Sequence, residues 1–249
     1  MAAILFFCRF FSGFEMTRIS VISVNYNNRD GLARTMDSVA SQQRVGFDLE
    51  YLVIDGGSKD GSVELMQARR REIDVLISEP DGGIYDAMNK GLRHATGDWV
   101  NFMNSGDCFA DEFALKRIAE AVREKPECRL VYGDNITVRG HESADVVDVL
   151  KAGIIHACHQ AMAFWICDLR YDERWPIYAD LDFVLQYYLR FSKQAFYYLG
   201  VTLSSTEESG MSAAHPHRKR LEKFGILLTR LGPLATLRAL GGAALRKFR

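Results

Sequence analysis

Between Ser78 and Asp107 this 249-residue chain reads SEPDGGIYDAMNKGLRHATGDWVNFMNSGD. Asp81 precedes a Gly-Gly turn, and Asn89-Lys90-Gly91 falls on a short predicted helix. Asn104-Ser105-Gly106-Asp107 then leaves the end of an apolar strand. Ionised carboxylates accept from hydroxyls and N–H groups, take up protons and hold hard cations. In open α/β sheets such groups matter most beyond the carboxyl ends of strands, where ligands bind. Asp55 has the same placing, at a strand end before Gly56-Gly57. It reads either as a turn residue bonding its own backbone or as an acceptor from a nucleobase N–H or a ribose hydroxyl. Asp60 reads as part of the turn or as a helix cap. Asp81 and Asp86 read as crevice carboxylates or plain turn residues, and Lys90 as a phosphate contact or a solvated helix lysine. Asp107 reads as a ligand or a turn cap. His156 and His159 read as site or structural histidines. There is no G-x-G-x-x-G, so a dinucleotide site is not indicated.

These residues need rigid elements behind them. Ile19 to Val24 is a continuous β-branched run, the pattern of a strand buried on both faces of a parallel sheet. Asp30 is placed to cap a helix from Gly31 to about Gln43. Strands at Leu49–Ile54, Val75–Ser78, Trp99–Met103 and Leu130–Tyr132 alternate with helices from about Val63 to Arg71, Tyr85 to His94 and Asp111 to Glu124. That alternation predicts right-handed crossovers and a Rossmann-like, mostly parallel sheet flanked by helices. The second half is less regular. Ile154–Trp165 mixes strand formers with two histidines, Tyr171–Pro176 is a loop, a helix opens near Asp180 and runs to about Phe191, and a last strand spans Phe196–Leu203.

Composition bounds the function classes. The chain is 48% hydrophobic and 25% charged with net charge -1, a globular balance that gives no reason to expect nucleic acid. Five cysteines without a C-x-x-C pair fit reduced thiols in the cytosol. No run approaches the roughly 18–20 apolar residues of a spanning helix. Residues 1–16 are read as an extension, disordered or non-native, with Met16 the natural start. Residues 17–205 form the folded domain, and 206–249 a loop and basic tail. From His217 onward nine Lys or Arg face one acid, Glu222. Leu234, Leu237, Gly241, Ala244, Leu245 and Phe248 share one helical face there, the pattern of an amphipathic helix lying on an anionic membrane.

Five pieces in order resemble the family 2 glycosyltransferases of GT-A fold, the bacterial colanic-acid and exopolysaccharide type in particular. They are Ile22–Asn27, Val53–Ser62, Glu79–Gly91, Asn104–Asp107 and Ala179–Asp182. The resemblance implies inverting transfer of a sugar from a nucleoside diphosphate sugar to a saccharide or lipid-linked saccharide acceptor, in exopolysaccharide or lipopolysaccharide assembly. The enzyme would be cytoplasmic, or peripheral at the inner face of the cytoplasmic membrane. Carried over by position, Val24 and Tyr26 line the base, Asp55 binds base or ribose, and Asp81, Asn89, Lys90, Asn104 and Ser105 contact the nucleotide sugar. Asp107 holds Mn2+ or Mg2+, Asp180 is the general base, and His159 and Gln160 lie near sugar or acceptor. Three positions depart from the family pattern: Asn104 and Gly106 thin the acidic turn to the one carboxylate of Asp107, and Ala179 replaces the first acid of the base motif. Rival readings are a sugar nucleotidyltransferase, for which a basic phosphate loop after the first strand is missing, and a non-catalytic nucleotide-sugar-binding subunit.

Overall fold

The structure, a computed structural model, describes residues 16–146, 150, 155–207 and 216–237. β1 (Arg18–Asn25), α1 (Arg29–Ala40), β2 (Asp48–Asp55), α2 (Ser62–Ala68), β3 (Val75–Ser78), α3 (Ile84–His94) and β4 (Trp99–Phe102) follow in strict alternation. Then come β5 (Cys108–Phe109), α4 (Ala114–Glu124), β6 (Leu130–Thr137), β7 (Gly140–Glu142), β8 (Met162–Trp165), α5 (Ala179–Phe191), β9 (Phe196–Ser205) and α6 (Pro216–Leu231). One sheet runs β3-β2-β1-β4-β8-β6-β9-β5, with β7 paired to β6.

The β-branched run in β1 is buried on both faces, as its composition predicts. Ile22 and Val24 pack with Met88 and Leu92 of α3 and with Phe183 of α5. Ile19 and Val21 pack with Leu32 and Met36 of α1 and with Ile118 of α4. The sheet is therefore covered by helices on both sides.

It is less parallel than the alternation suggests. β1, β2, β3 and β4 are parallel neighbours. Beyond β4, β8 enters antiparallel and pairs antiparallel with β6, while β6 and β9 are parallel. The strand–helix rhythm that forces parallel crossovers stops at β4. After it, β6 runs straight back through a hairpin into β7 and lasts to Thr137, not Tyr132. Local ends also differ. Asn28, not Asp30, caps α1, its side chain accepting from Gly31 N, and Asp30 sits in the first turn paired with Arg29.

The cysteine at position 8, residues 1–15 and the distal stripe from Gly241 to Phe248 lie outside the described residues, as does most of the loop expected before His217.

Candidate functional site

β1 is flanked by β2 on one side and β4 on the other, so the chain changes direction across the sheet at β1. That is where α/β folds open a ligand crevice. The polar ends of the three strands meet there: Asn25, Asp55 and the turn Asn104–Asp107.

α1 holds this turn from below. Asn28 Nδ2 donates to Ser105 O at 3.0 Å, the Thr35 hydroxyl donates to Asp107 O at 2.7 Å, and Gly106 N donates to Thr35 Oγ1 at 3.0 Å. Gly106 has φ +105, a conformation strained for any residue with a Cβ. Its open side is filled by Glu207, whose Oε2 would lie 3.3 Å from a Cβ placed there.

Three connected chambers run along the crevice. The first, about 660 Å³, includes Val24, Tyr26, Asp81, Gly83, Asn104 and Ser105 in its lining. The second, about 390 Å³, shares Ile84, Asn104 and Ser105 with it and adds Asp107, His159 and Asp180. The third, about 430 Å³, shares His159 and Asp180 with the second and is walled by Asn135, Glu142, Ser143 and His156. Tyr26 is 68% exposed at the open edge of the first chamber. Gly56 keeps that edge passable, since a Cβ there would meet Asp81 Oδ2 at 2.6 Å and Tyr26 Cδ2 at 3.2 Å.

Of the sequence-predicted site residues, the crevice gathers Val24, Tyr26, Asp81, Asn104, Ser105, Asp107, His159, Gln160 and Asp180. It does not gather three others. Asp55 is fully buried. Its Oδ1 accepts from Asn25 Nδ2 at 2.8 Å and Ser58 Oγ at 2.5 Å, its Oδ2 from Ser58 N at 2.9 Å and Ser78 Oγ at 2.8 Å. Burial alone would raise its pKa, but the bonds from Ser58, Asn25 and Ser78 outweigh it and hold the group below the usual range. With both oxygens bonded to the protein, Asp55 organises the β2 turn. Asn89 exchanges hydrogen bonds with Tyr171, 3.0 Å each way, and donates to Glu173 at 2.8 Å. Lys90 pairs with Glu79 at 2.9 Å and donates to Pro80 O at 3.0 Å. Both hold loops at the rim. Asp60 is a turn and cap residue, accepting from Ser62 N and Arg29 N.

Electrostatically the second chamber is unusual. Burial lifts the Asp107 pKa to about 6, against the bonds from Gln160 Nε2 and Glu207 N, and the Glu207 charge adds to the rise. Burial likewise lifts Asp180 to about 6, opposed by the Leu181 N–H and aided by the Glu222 charge. Burial lowers His159 to about 4, so the ring is neutral near pH 7. It meets Asn104 at 3.0 Å. Asp180 accepts from Leu181 N at 2.8 Å and from no side chain among the described residues.

The segment leading into α5 is tightly held. Tyr85 Oη donates to Ile177 O at 3.2 Å, and Tyr85 and Phe183 both stack on Tyr171. Glu222 of α6 accepts from Ile177 N at 2.9 Å and Tyr178 N at 3.1 Å. Asp182, wholly buried, receives a two-pronged contact from Arg230 at 2.6 and 2.8 Å. Asp182 is thus an anchor of the helix start.

The sequence reading missed Thr35, Glu207, Glu142, Ser143, Glu222 and Arg230. A polar residue within the buried stripe of α1 could have flagged Thr35. The others come from polar loops or a distant helix and carry no local signal.

A divalent cation finds suitable donors here. Among the described residues no group of three or more His, Cys, Asp or Glu converges. The turn nevertheless offers the Asp107 carboxylate, with Asn104 Oδ1 and Ser105 Oγ both buried and unpartnered, and Glu207 alongside. These are hard oxygens, which suit Mg2+ or Mn2+ with the remaining positions left to waters or phosphate.

An open α/β sheet with a polar cleft at its switch point defines a class of ligand-binding α/β fold, and the comparisons narrow it. A family model described as "Glycosyl transferase family 2" matches residues 20–156, just over half of the chain. The uncharacterized glycosyltransferase Rv1514c of Mycobacterium tuberculosis is 40% identical over 115 residues; the match covers 46% of this chain but only 44% of that relative. A PGL/p-HBAD biosynthesis glycosyltransferase of Mycobacterium bovis is 30% identical over 225 residues, covering 86% of each chain. The solved structure of glucosyl-3-phosphoglycerate synthase from Mycobacterium tuberculosis with Mn2+, UDP and glucosyl-3-phosphoglycerate superposes with a TM-score of 0.61 at 15% identity, covering 87% of this chain and 80% of that one. The chain belongs to glycosyl transferase family 2 and has the GT-A fold. The finer likeness to the colanic-acid type is not carried by these matches.

Proposed function

We propose that the protein transfers a sugar from a nucleoside diphosphate sugar, with inversion, to a hydroxyl of a saccharide or lipid-linked saccharide. The observation that carries this is the position of Asp180. It stands on the wall shared by the second and third chambers, and the second opens into the cleft beside Val24 and Tyr26. In this reading the nucleoside lies in the first chamber, the diphosphate and sugar against Asn104–Asp107, and the acceptor in the third. An acceptor hydroxyl in the third chamber would then approach the sugar from the side away from the leaving diphosphate, as inversion requires.

Asp180 takes the acceptor proton as the new bond to the sugar carbon forms and the bond to the diphosphate breaks. Its raised pKa makes it a stronger base than a solvated carboxylate while leaving it ionised at neutral pH. Neutral His159 and Gln160 supply hydrogen bonds at the same junction without adding charge. Mn2+ or Mg2+, held by Asp107 with Asn104, Ser105 and Glu207, would neutralise charge developing on the diphosphate. The third chamber's mix of Asn135, Glu142, Ser143 and His156 suits a hydroxyl-rich acceptor.

The acceptor's setting is proposed to be polysaccharide or lipopolysaccharide assembly at the cytoplasmic face of a membrane, with the basic tail as the membrane contact. No helix among the described residues is long and apolar enough to cross a membrane.

Asp180→Asn tests the reading. Transfer is expected to fall by at least about a thousandfold, within the range lost with a positioned base and its transition-state contacts, while nucleotide binding persists. Unchanged transfer would remove Asp180 as the base, and absence of transfer by the parent with intact nucleotide binding would favour a non-catalytic subunit.

A further inference from the structure

α6 is inside out. Its inner face does what a packed helix face should: Ile226 and Leu227 are fully buried, Glu222 is nearly so, and Arg230 reaches Asp182. The opposite face of such a helix is normally polar. Here it carries Leu221, 73% exposed, Phe224, 43%, and Leu228, 40%. At about 100° per residue these three fall within an arc of about 60°. Arg218 and Arg220 flank the arc on its two sides. Past Gly232, Leu234 and Leu237 are also exposed, 74% and 65%.

We propose that the outward face of α6 is a docking surface for an anionic lipid bilayer. The charge pattern selects that occupant. The single acid after residue 216, Glu222, is turned inward and engaged by Arg218 Nε at 3.0 Å and by two backbone N–H groups. Arg220, at the edge of the outward arc, pairs with no carboxylate among the described residues, while Lys219 and Lys223 lie half-buried on the inner side. A second copy of the chain would satisfy the leucines but would bring two cationic faces together. A bilayer surface meets both requirements at once: acyl boundary for Leu221, Phe224 and Leu228, anionic headgroups for the arginines beside them.

This places the membrane contact on α6 itself and not only on the distal stripe read from the sequence. It also has a consequence that rests on the proposed transfer reaction. The inner face of the same helix grips Ile177, Tyr178 and Asp182, the residues on either side of Asp180. A bilayer-bound α6 therefore holds Asp180 at a fixed height and tilt over the membrane, which suits an acceptor anchored in lipid.

The test is vesicle flotation of the full chain, which needs no activity. Vesicles of phosphatidylcholine with phosphatidylglycerol are compared with phosphatidylcholine alone, for the parent and for Leu221→Gln/Phe224→Ser/Leu228→Gln. None of the three side chains touches the crevice, so the variant should keep the parent's melting temperature and nucleotide response. The parent is expected to float with anionic vesicles and poorly with neutral ones, and the variant to partition about tenfold less. Leu221→Gln alone, at the most exposed position, keeps the test decisive if the triple variant is unstable. Equal flotation of parent and variants, or no flotation of the parent, overturns the proposal. So does a parent that is dimeric without lipid and becomes monomeric in the variant, which would assign the face to a second copy.

Discussion

Two carboxylates, Asp107 and Asp180, line one chamber, and burial holds both at about 6. In the proposed reaction they do different work. Asp180 must lose its proton to act as base, so kcat/KM is expected to rise from pH 5 to pH 7 with a midpoint near 6 and then level off. His159, near 4, is neutral over that range and adds no second limb. A profile flat from pH 5 to pH 8 would remove the buried base from the mechanism. The raised pKa also predicts a stability effect of defined sign. Asp180 has an ordinary value of 3.8 and a folded one of about 6, so between them the folded state holds the extra proton. Its contribution to stability therefore declines as pH rises through that window, and the penalty is complete above it. Asp180→Asn should stabilise the fold at pH 7 and leave it unchanged at pH 4. A tenfold change in acidity corresponds to about 1.4 kcal/mol, and partial solvent access reduces the total, so the gain at pH 7 should be on the order of 1–2 kcal/mol. Urea unfolding at the two pH values measures the difference, and an equal effect at both would contradict it.

At the scale of elements, the most distinctive sequence motif has an unexpected job. Glu79–Gly91 resembles a ligand-binding signature, yet much of it builds α3 and its rim. Asn89 ties α3 to the Tyr171 loop, and Lys90 ties it to the turn at Glu79 and Pro80. Gly91 lets α3 close on β1, where a Cβ would stand 2.5 Å from Ile22 Cγ2. Gly91→Ala is expected to cost about 1–3 kcal/mol by overpacking, read as a lower urea midpoint; an unchanged midpoint would mean that Ile22 gives way freely. Residue spacing showed where these side chains sit along α3 but not which partners face them, because Tyr171 and Glu173 come from a loop about 80 residues later. The α5–α6 clamp was invisible for the same reason. Arg230 looked like one more basic tail residue, although it neutralises Asp182, which has no solvent access. Arg230→Met should destabilise by about 3–5 kcal/mol, the cost of an unpaired buried charge. Adding Asp182→Asn should recover part of the loss. Equal unfolding midpoints for parent and Arg230→Met would show that Gln186, which also donates to Asp182 at 2.7 Å, suffices alone.

Over the whole molecule, the parallel half was legible because β-branched runs and helices alternate from β1 to β4, and that rhythm admits one topology. The half beyond β4 was not, because β8 and β6 pair by returning antiparallel through irregular connections. The third chamber, built from β6, β7 and the segment before β8, was hidden with it. The proposed donor side of the crevice thus rests on the legible half, and ligand binding there can be tested without knowing the acceptor. UDP, GDP, dTDP and CMP, each with and without Mn2+ or Mg2+, form the panel for thermal unfolding. A ligand at a hundredfold its dissociation constant stabilises the native state by about 2.7 kcal/mol. For a chain of this size that is about 5–10 °C in melting temperature. One nucleoside diphosphate is expected to give that rise, and to give it only with metal, since Asp107 and Glu207 otherwise repel the phosphates. A rise that is equal with and without metal would assign the turn at Asn104–Asp107 to direct contacts alone. No rise from any of the four would contradict the nucleotide's assignment to the first chamber, whatever flotation or transfer assays show.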